Sequence, residues 1–296
     1  MTTQFKRWST MLTLGLTASA CAEQPSTPSP NTPPAAASTP AVTLVGAGDI
    51  AGCALNYGDE ATAALIRDID GTVFTLGDNV YKAGTSGQFK RCYDPSWGAF
   101  KARTRPAPGN HDYLTEGAAG YFGYFGDLAG ACCRGYYTYR LGSWRIYSLN
   151  SETNRSAQLT WLKAHLANHP APCVLAYWHW PLYSTGFIGS SSRMYGAFKA
   201  LYRAGAELVL AGHDHNYQRF APMDADGNLK SDGVREFVVG TGGAPNLSDF
   251  PNSAPNIEQR YPGWGVLKLT LSEDGYAWDF ISVSDGIVDS GSATCH

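Results

Sequence analysis

The chain lacks an excess of either charge. Its 296 residues hold 22 Lys and Arg against 25 Asp and Glu, a net charge of −3, and only 16% of positions are charged. No basic stripe is visible, so there is no electrostatic footprint for nucleic acid. Long apolar runs are also missing. The apolar stretch near the N-terminus, Met11 to Leu16, is too short to span a bilayer. No CxxC pair stands at zinc-finger spacing, which removes a structural-zinc reading of the cysteines. There are no internal repeats, which excludes solenoids and propellers.

What is present suits one large domain or two small ones, with 44% hydrophobic residues. Residues 1–21 read as a targeting segment. Lys6 and Arg7 precede the apolar stretch, and Ala18-Ser19-Ala20 is a small-residue cleavage site. Cys21 follows directly, so Ala18-Ser19-Ala20-Cys21 resembles a bacterial lipoprotein signal, with Ala18 where Leu is more common. Lipid anchoring through Cys21 and plain secretion both remain open, and both place the mature protein outside the cytoplasm. Setting Cys21 aside, Cys53, Cys92, Cys132, Cys133, Cys173 and Cys295 remain. An even number of cysteines in an exported protein reads as disulfides. Residues 22–41 are rich in Pro, Ser, Thr and Ala and read as an extended linker. The folded domain is expected over 42–296.

Within that domain, β-branched and apolar runs alternate with helical patterns. Val42 to Gly48 reads as a strand ending at Asp49. Asp59 reads as an N-cap, with Ala61, Leu65 and Ile69 as the helical stripe. Thr72 to Leu76 is a strand leading into Gly77-Asp78-Asn79-Val80-Tyr81. Asp49 and Asp78 are 29 residues apart, about one βαβ unit. Trp97, Phe100 and Lys101 suggest a second helix, and an extended stretch at 105–108 leads to Gly109-Asn110-His111-Asp112. Residues 113–135 read as a long loop. A hairpin turns at Gly142-Ser143, a helix spans 154–167, a strand ends at His179, a helix spans 195–203, and a strand ends in Gly212-His213-Asp214-His215. Further strands are expected at 236–239, 264–271 and 276–283, with a Pro/Asn-rich loop over 243–262. The strand count calls for two packed sheets.

Apolar or extended runs thus end, again and again, in a potential metal ligand: Asp49, Asp78, Asn110, His179 and the pair His213/His215. A lone His or an Asp-Asn turn after a strand is ordinarily structural. Repetition at the same kind of position points instead to a site at the strand ends. Carboxylate, amide oxygen and imidazole together suit zinc, iron or manganese.

At these residues the chain resembles the calcineurin-like metallophosphoesterases. The blocks Gly48-Asp49, Gly77 to Tyr81, Gly109 to Asp112, Trp178-His179 and Gly212 to His215 occur in that family's order. Tyr81 and Gly212 to Arg219 look like purple acid phosphatases within it. The position two after Asp49 is Ala51, where many members carry a histidine, and Tyr81 would supply the replacement ligand. The resemblance implies an α/β fold, a two-sheet α/β/β/α sandwich. It implies two metal ions, iron with zinc, manganese or iron. The first would be held by Asp49, Asp78, Tyr81 and His215, the second by Asp78, Asn110, His179 and His213. His111 would lie beside the phosphate as the catalytic residue, oriented by Asp112. Trp180 stands where some relatives carry a second histidine. Arg219 reads as half of a structural ion pair rather than as a phosphate clamp.

Two metals about 3.5–4 Å apart can clamp both oxygens of an in-line displacement and lower the pKa of water to about 7. The expected function is therefore an exported phosphoesterase hydrolysing phosphate monoesters by attack of metal-bound hydroxide on a small phosphorylated substrate. A phosphodiesterase on nucleotides or lipid head groups is the alternative, and a non-catalytic surface binding module the third reading. Cys53 and Cys92 each lie shortly past a proposed metal-bearing strand, so a bridge between them would pin adjacent loops over the site. Cys173 with Cys295 is a second expected pair. Cys132 and Cys133 either bridge each other or pair elsewhere.

Overall fold

A computed structural model describes residues 1–4, 8–9, 40–131, 133–153, 155–245 and 249–296. Most of the targeting segment and linker, including Cys21, lies outside the described residues, as does Cys132. Every helix and strand named below belongs to the unit Ser38–His296, which is described separately from Met1–Ala37. No helix among the described residues is long and apolar enough to cross a membrane.

Strands buried on both faces read as unbroken apolar runs, and such runs form the middle of both sheets. In the first sheet β1 (Val42–Ala47), β2 (Thr72–Leu76) and β3 (Thr104–Ala107) are parallel. In the second, β4 (Tyr137–Leu141) and β5 (Trp144–Ser148) form the hairpin, and β6 (Val174–Tyr177) and β7 (Leu208–Ala211) continue parallel to β5. β8 (Tyr217–Phe220), β9 (Arg235–Val239) and β10 (Ile257–Tyr261) complete that sheet, in the order β10-β8-β9-β7-β6-β5-β4. β11 (Gly265–Leu271), β12 (Gly275–Ser282) and β13 (Gly286–Thr294) return to the first, in the order β13-β12-β11-β1-β2-β3.

The strand period of two decides what each face meets. Leu175 and Tyr177 of β6 join Leu44, Phe74, Trp144 and Leu267 in one core. Val174 and Ala176, one residue out of step, pack instead with Leu162, Phe198 and Leu201. Leu162 lies on α4 (Arg155–Asn168), and Phe198 and Leu201 on α5 (Tyr195–Arg203), so these helices cover the second sheet. α1 (Asp59–Arg67) packs against β11, and the 3₁₀ turn at Trp97–Arg103 against β2. The result is the expected two-sheet α/β sandwich.

Local expectations differ from it in four places. Gly58, not Asp59, is the N-cap of α1, and no side chain caps it. Asp59 is buried and accepts a hydrogen bond from the Ser96 hydroxyl. The buried stripe of α1 is Thr62, Ala63 and Ile66, one position round from the expected one, and Ile69 lies beyond the helix. Residues 113–135 are not a plain loop. They hold 3₁₀ turns and α3 (Ala119–Phe125), which meets the short α2 (Ser86–Gln88), capped by Thr85 and Gln88. The Pro/Asn-rich stretch contains β10, and β8 and β13 join the sheets without an apolar signal. β10 and β13 are edge strands with half-exposed faces, where polar residues are expected. β8 buries Gln218, whose side-chain oxygen accepts from Thr185.

Both expected disulfides are present, Cys53–Cys92 with Cα atoms 5.1 Å apart and Cys173–Cys295 with Cα atoms 5.7 Å apart. The second joins the start of β6 to the residue following β13 and so ties one sheet to the other. It closes a separation of 122 residues, and loop-closure entropy puts its contribution at about 4–5 kcal/mol. Cys173→Ala with Cys295→Ala is expected to lower unfolding free energy by roughly that amount in denaturant titration. Peptide mapping without reduction should recover Cys53 joined to Cys92. A free thiol at either position, or an unchanged midpoint in the double variant, would contradict the assignment.

Candidate metal centre

Each candidate ligand leaves the carboxyl end of a strand or the turn just beyond it. Asp49 follows β1, Asp78 and Tyr81 follow β2, Asn110 follows β3, His179 follows β6, and His213 and His215 follow β7. The parallel strands of both sheets therefore deliver these side chains to one place. Asp49, Asp78 and His213 hold φ of +59°, +48° and +73°. Such left-handed backbone costs on the order of 1 kcal/mol or more per non-glycine residue and persists where the surroundings enforce it. Gly77, at φ +88°, permits the reversal before Asp78. Gly212 has a different task, because a Cβ there would stand 2.6 Å from Asp49 Oδ2.

The ligand atoms form two groups that share one carboxylate. Tyr81 Oη lies 3.0 Å from Asp49 Oδ1, 3.1 Å from His215 Nε2 and 3.1 Å from Asp78 Oδ2. On the other side His179 Nε2 lies 3.3 Å from the same Asp78 Oδ2, 3.0 Å from Asn110 Oδ1 and 3.0 Å from His213 Nδ1. All seven side chains named from the sequence thus come together, in the two sets expected, with Asp78 between them.

Backbone carbonyls orient the imidazoles. His179 Nδ1 donates to Leu76 O at 2.7 Å and His215 Nδ1 donates to Pro245 O at 2.9 Å, so each ring turns Nε2 inward. His213 presents Nδ1 instead, and its Nε2 is buried with no hydrogen-bond partner among the described residues. Backbone N–H groups hold the carboxylates: His213 N donates to Asp49 Oδ2 and His111 N to Asp78 Oδ1, both at 2.7 Å. Acceptor atoms about 3 Å apart, fixed from behind, are what a cation with carboxylate, amide, imidazole and phenol ligands requires. The residues fit a metal pair. Asp78, His179 and His213 alone form a buried group with ligand atoms within 4.8 Å of one another.

Electrostatics agree with a site built for positive charge. Burial opposes ionisation of Asp49 and Asp78, yet the histidines beside them, His179 first, hold both carboxyls below their usual values. Burial also works against a charge on His179, but Asp78 and Asp49 outweigh it and push that imidazole up to about 10. Burial and then the His179 charge bring His213 down to about 3. Burial, with Asp49 and Asp78 alongside, raises the Tyr81 phenol well above 10. The protein's own charges therefore keep Tyr81 neutral, and only a strong Lewis acid would make it a phenolate.

His111 stands at the mouth. Its side chain is about one-third exposed, with Nε2 3.9 Å from Asp78 Oδ2 and its ring against Tyr81. The expected partnership with Asp112 is absent. His111 Nδ1 donates to the Lys82 carbonyl at 2.5 Å. Asp112 is fully buried and accepts from Gly109 N at 2.9 Å and from the Asn79 side-chain amide at 2.9 Å, so it joins the loops after β2 and β3. Burial, then the Asp78 charge, raises its carboxyl to about 7. Asp214, between two ligands, accepts from Ile188 N and Gly189 N and anchors the loop after His179. Trp180 tilts against His213, and Arg193 lies over the Trp180 ring. Arg219 pairs with Asp289 and Glu258, a structural role. The sequence reading did not single out Tyr57, a half-buried side chain beside Tyr81. An aromatic in a Cys- and Gly-containing loop just past Asp49 was the available signal.

Comparison with known proteins places this geometry. A family model described as calcineurin-like phosphoesterase matches residues 43–217, more than half of the chain, a span that holds all seven candidate ligands. Purple acid phosphatase 21 of Arabidopsis thaliana is 35% identical over 117 residues, covering 37% of this chain and 25% of that protein. Purple acid phosphatase PPD1 from yellow lupin (Lupinus luteus) seeds superposes with a TM-score of 0.68 at 22% identity, over 86% of this chain and 54% of that one. GAP50, the anchor in the inner membrane complex of Plasmodium, superposes at 0.65 with 16% identity, over 86% of this chain and 89% of its own. The chain thus spans a quarter to about half the length of the purple acid phosphatases it matches. The solved structures share the fold, and the family match runs from β1 to the first residue of β8, across every strand end that carries a candidate ligand: the chain belongs to the calcineurin-like phosphoesterase family.

Proposed function

We propose that this protein is an exported phosphatase that hydrolyses monoesters of phosphoric acid at a two-metal centre. The observation that carries the reading is the single Asp78 oxygen within reach of both ligand groups. Likeness to purple acid phosphatases supports monoesters, and the disulfides Cys53–Cys92 and Cys173–Cys295 fit an oxidising compartment. Iron with zinc, manganese or iron would suit the donors, Asp49, Tyr81 and His215 on one side, Asn110, His179 and His213 on the other. Bound there, the metals would supply an activated water and neutralise the phosphoryl oxygens. A lipid anchor through Cys21 would hold the domain at a membrane surface.

The chain's own residues then do the rest. Lys82 O fixes the His111 tautomer and turns Nε2 toward the mouth. Protonated, that nitrogen can hand its proton to the departing alkoxide. Asp112 keeps the two loops together rather than taking part in proton transfer. A bystander module of the same fold would be free to lose ligands, and this chain keeps the full set.

The metal-loaded protein is expected to hydrolyse 4-nitrophenyl phosphate at least about ten-fold faster, in kcat/KM, than bis(4-nitrophenyl) phosphate. The reverse order would make it a diesterase, and turnover of neither would leave a binding module. His111→Ala should lower kcat by about 100-fold with metal content retained on elemental analysis. Loss of both metals in that variant would make His111 a ligand.

Tyr81 allows a separate check. Protein loaded with Fe(III), its content confirmed by elemental analysis, should show a visible tyrosinate charge-transfer band, and Tyr81→Phe should abolish it with the fold intact by circular dichroism. A band that survives the substitution, or none in the wild type, would contradict tyrosinate ligation.

A further inference from the structure

Beside the metal ligands the surface opens into a cavity of about 610 Å³. Its inner wall is Tyr81, His111 and His215, and its outer wall includes Tyr57 from the loop after β1 and Gln88 from α2. The Cys53–Cys92 disulfide ties those two outer parts together. Pockets for small organic molecules run from about 300 to 1,000 Å³, so the space is far larger than a phosphoryl group requires. No Asp or Glu is among the described residues that line it.

Tyr57 is the aromatic of the outer wall. Its ring lies over Gly52, where any Cβ would overlap the ring carbons. It also tilts against Tyr81, centroids 5.8 Å apart. A glycine under one face and a disulfide at the base of the loop fix the ring in place. Among the described residues its hydroxyl has no hydrogen-bond partner. A fixed, half-buried ring lining a cavity next to the reacting centre is a stacking platform.

We propose that this cavity is the leaving-group subsite and that Tyr57 is its platform, selecting phosphate monoesters of ring-bearing alcohols, aryl or nucleoside-like, over those of small alkyl alcohols. The inference rests on the phosphatase reading above. With the phosphoryl group at the metal ligands and His111, the ester oxygen faces the cavity, and the ring beyond it lies against Tyr57. Tyr57 is thus a specificity-determining residue, outside the metal ligands.

The test uses non-hydrolysable probes, so that leaving-group reactivity plays no part. Phenylphosphonate and methylphosphonate are titrated calorimetrically into the metal-loaded full-length protein. The wild type should bind the phenyl compound more tightly. Tyr57→Leu should reduce that preference by about five-fold or more, while Tyr57→Phe should keep it. Methylphosphonate affinity should stay nearly constant and reports that each variant is folded and loaded. Should Tyr57→Leu lose methylphosphonate as well, Gly52→Ala, which displaces the ring without removing it, decides by the same ratio. Preference retained without the ring in place would overturn the proposal while the phosphatase reading stands. If the wild type binds neither phosphonate and turns over no 4-nitrophenyl phosphate, that reading falls and the subsite with it.

Discussion

The structure turns on the Asp78 carboxylate. One of its oxygens lies 3.1 Å from the Tyr81 hydroxyl and 3.3 Å from His179 Nε2, so two ligand groups, each drawn from both sheets, meet at one atom. Its other oxygen accepts the His111 backbone N–H at 2.7 Å, which ties the loop after β3 to the same group. The left-handed backbone at Asp78 and the glycine before it exist to aim this side chain. The second sheet supplies His179, His213 and His215, and the first supplies the rest. Faulty docking of the sheets would separate the halves of the site.

Burying Asp49 and Asp78 completely is costly unless positive charge is returned to them. The histidines return some of it, which is why both carboxyls stay easy to ionise and His179 holds a proton up to about 10. That arrangement has a chemical consequence. Were a metal held by His179, that proton would have to leave, so metal binding and proton release would be coupled. Tyr81 faces the opposite problem, since burial first, and then the same two carboxylates that attract a cation, push its own ionisation out of reach. Burial and one pair of charges therefore act on both the phenol and the imidazole.

Much of this was legible in the sequence, for a physical reason. Buried parallel strands leave apolar runs, and ligands sit immediately after them, so Asp49, Asp78, His179 and His213 stand out from their neighbours. The 3.6-residue pattern gave α5 at its observed bounds. Edge strands carry no such contrast: β10 and β13 are polar and half exposed, and β8 hides Gln218 behind hydrogen bonds to a distant threonine. The orienting partner of His111 was misread because adjacency in sequence favoured Asp112, whereas the carbonyl that holds it belongs to Lys82. A backbone carbonyl has no signature in a sequence. The same limit applies to Leu76 and Pro245, which set the tautomers of His179 and His215.

The loops outside the ligands complete the account. Asp112 joins the loops after β2 and β3, Asp214 holds the loop after β6, and Cys53–Cys92 fastens the outer wall of the cavity beside the centre. They all serve the geometry about Asp78, so the most direct measurement is metal stoichiometry on substitution there. Elemental analysis of protein purified with iron and zinc should find two metals per chain in the wild type. It should find neither in Asp78→Ala, and about one in His215→Ala, where the second ligand group is untouched. Two metals retained in Asp78→Ala, or fewer than two in the wild type, would contradict a centre bridged by Asp78.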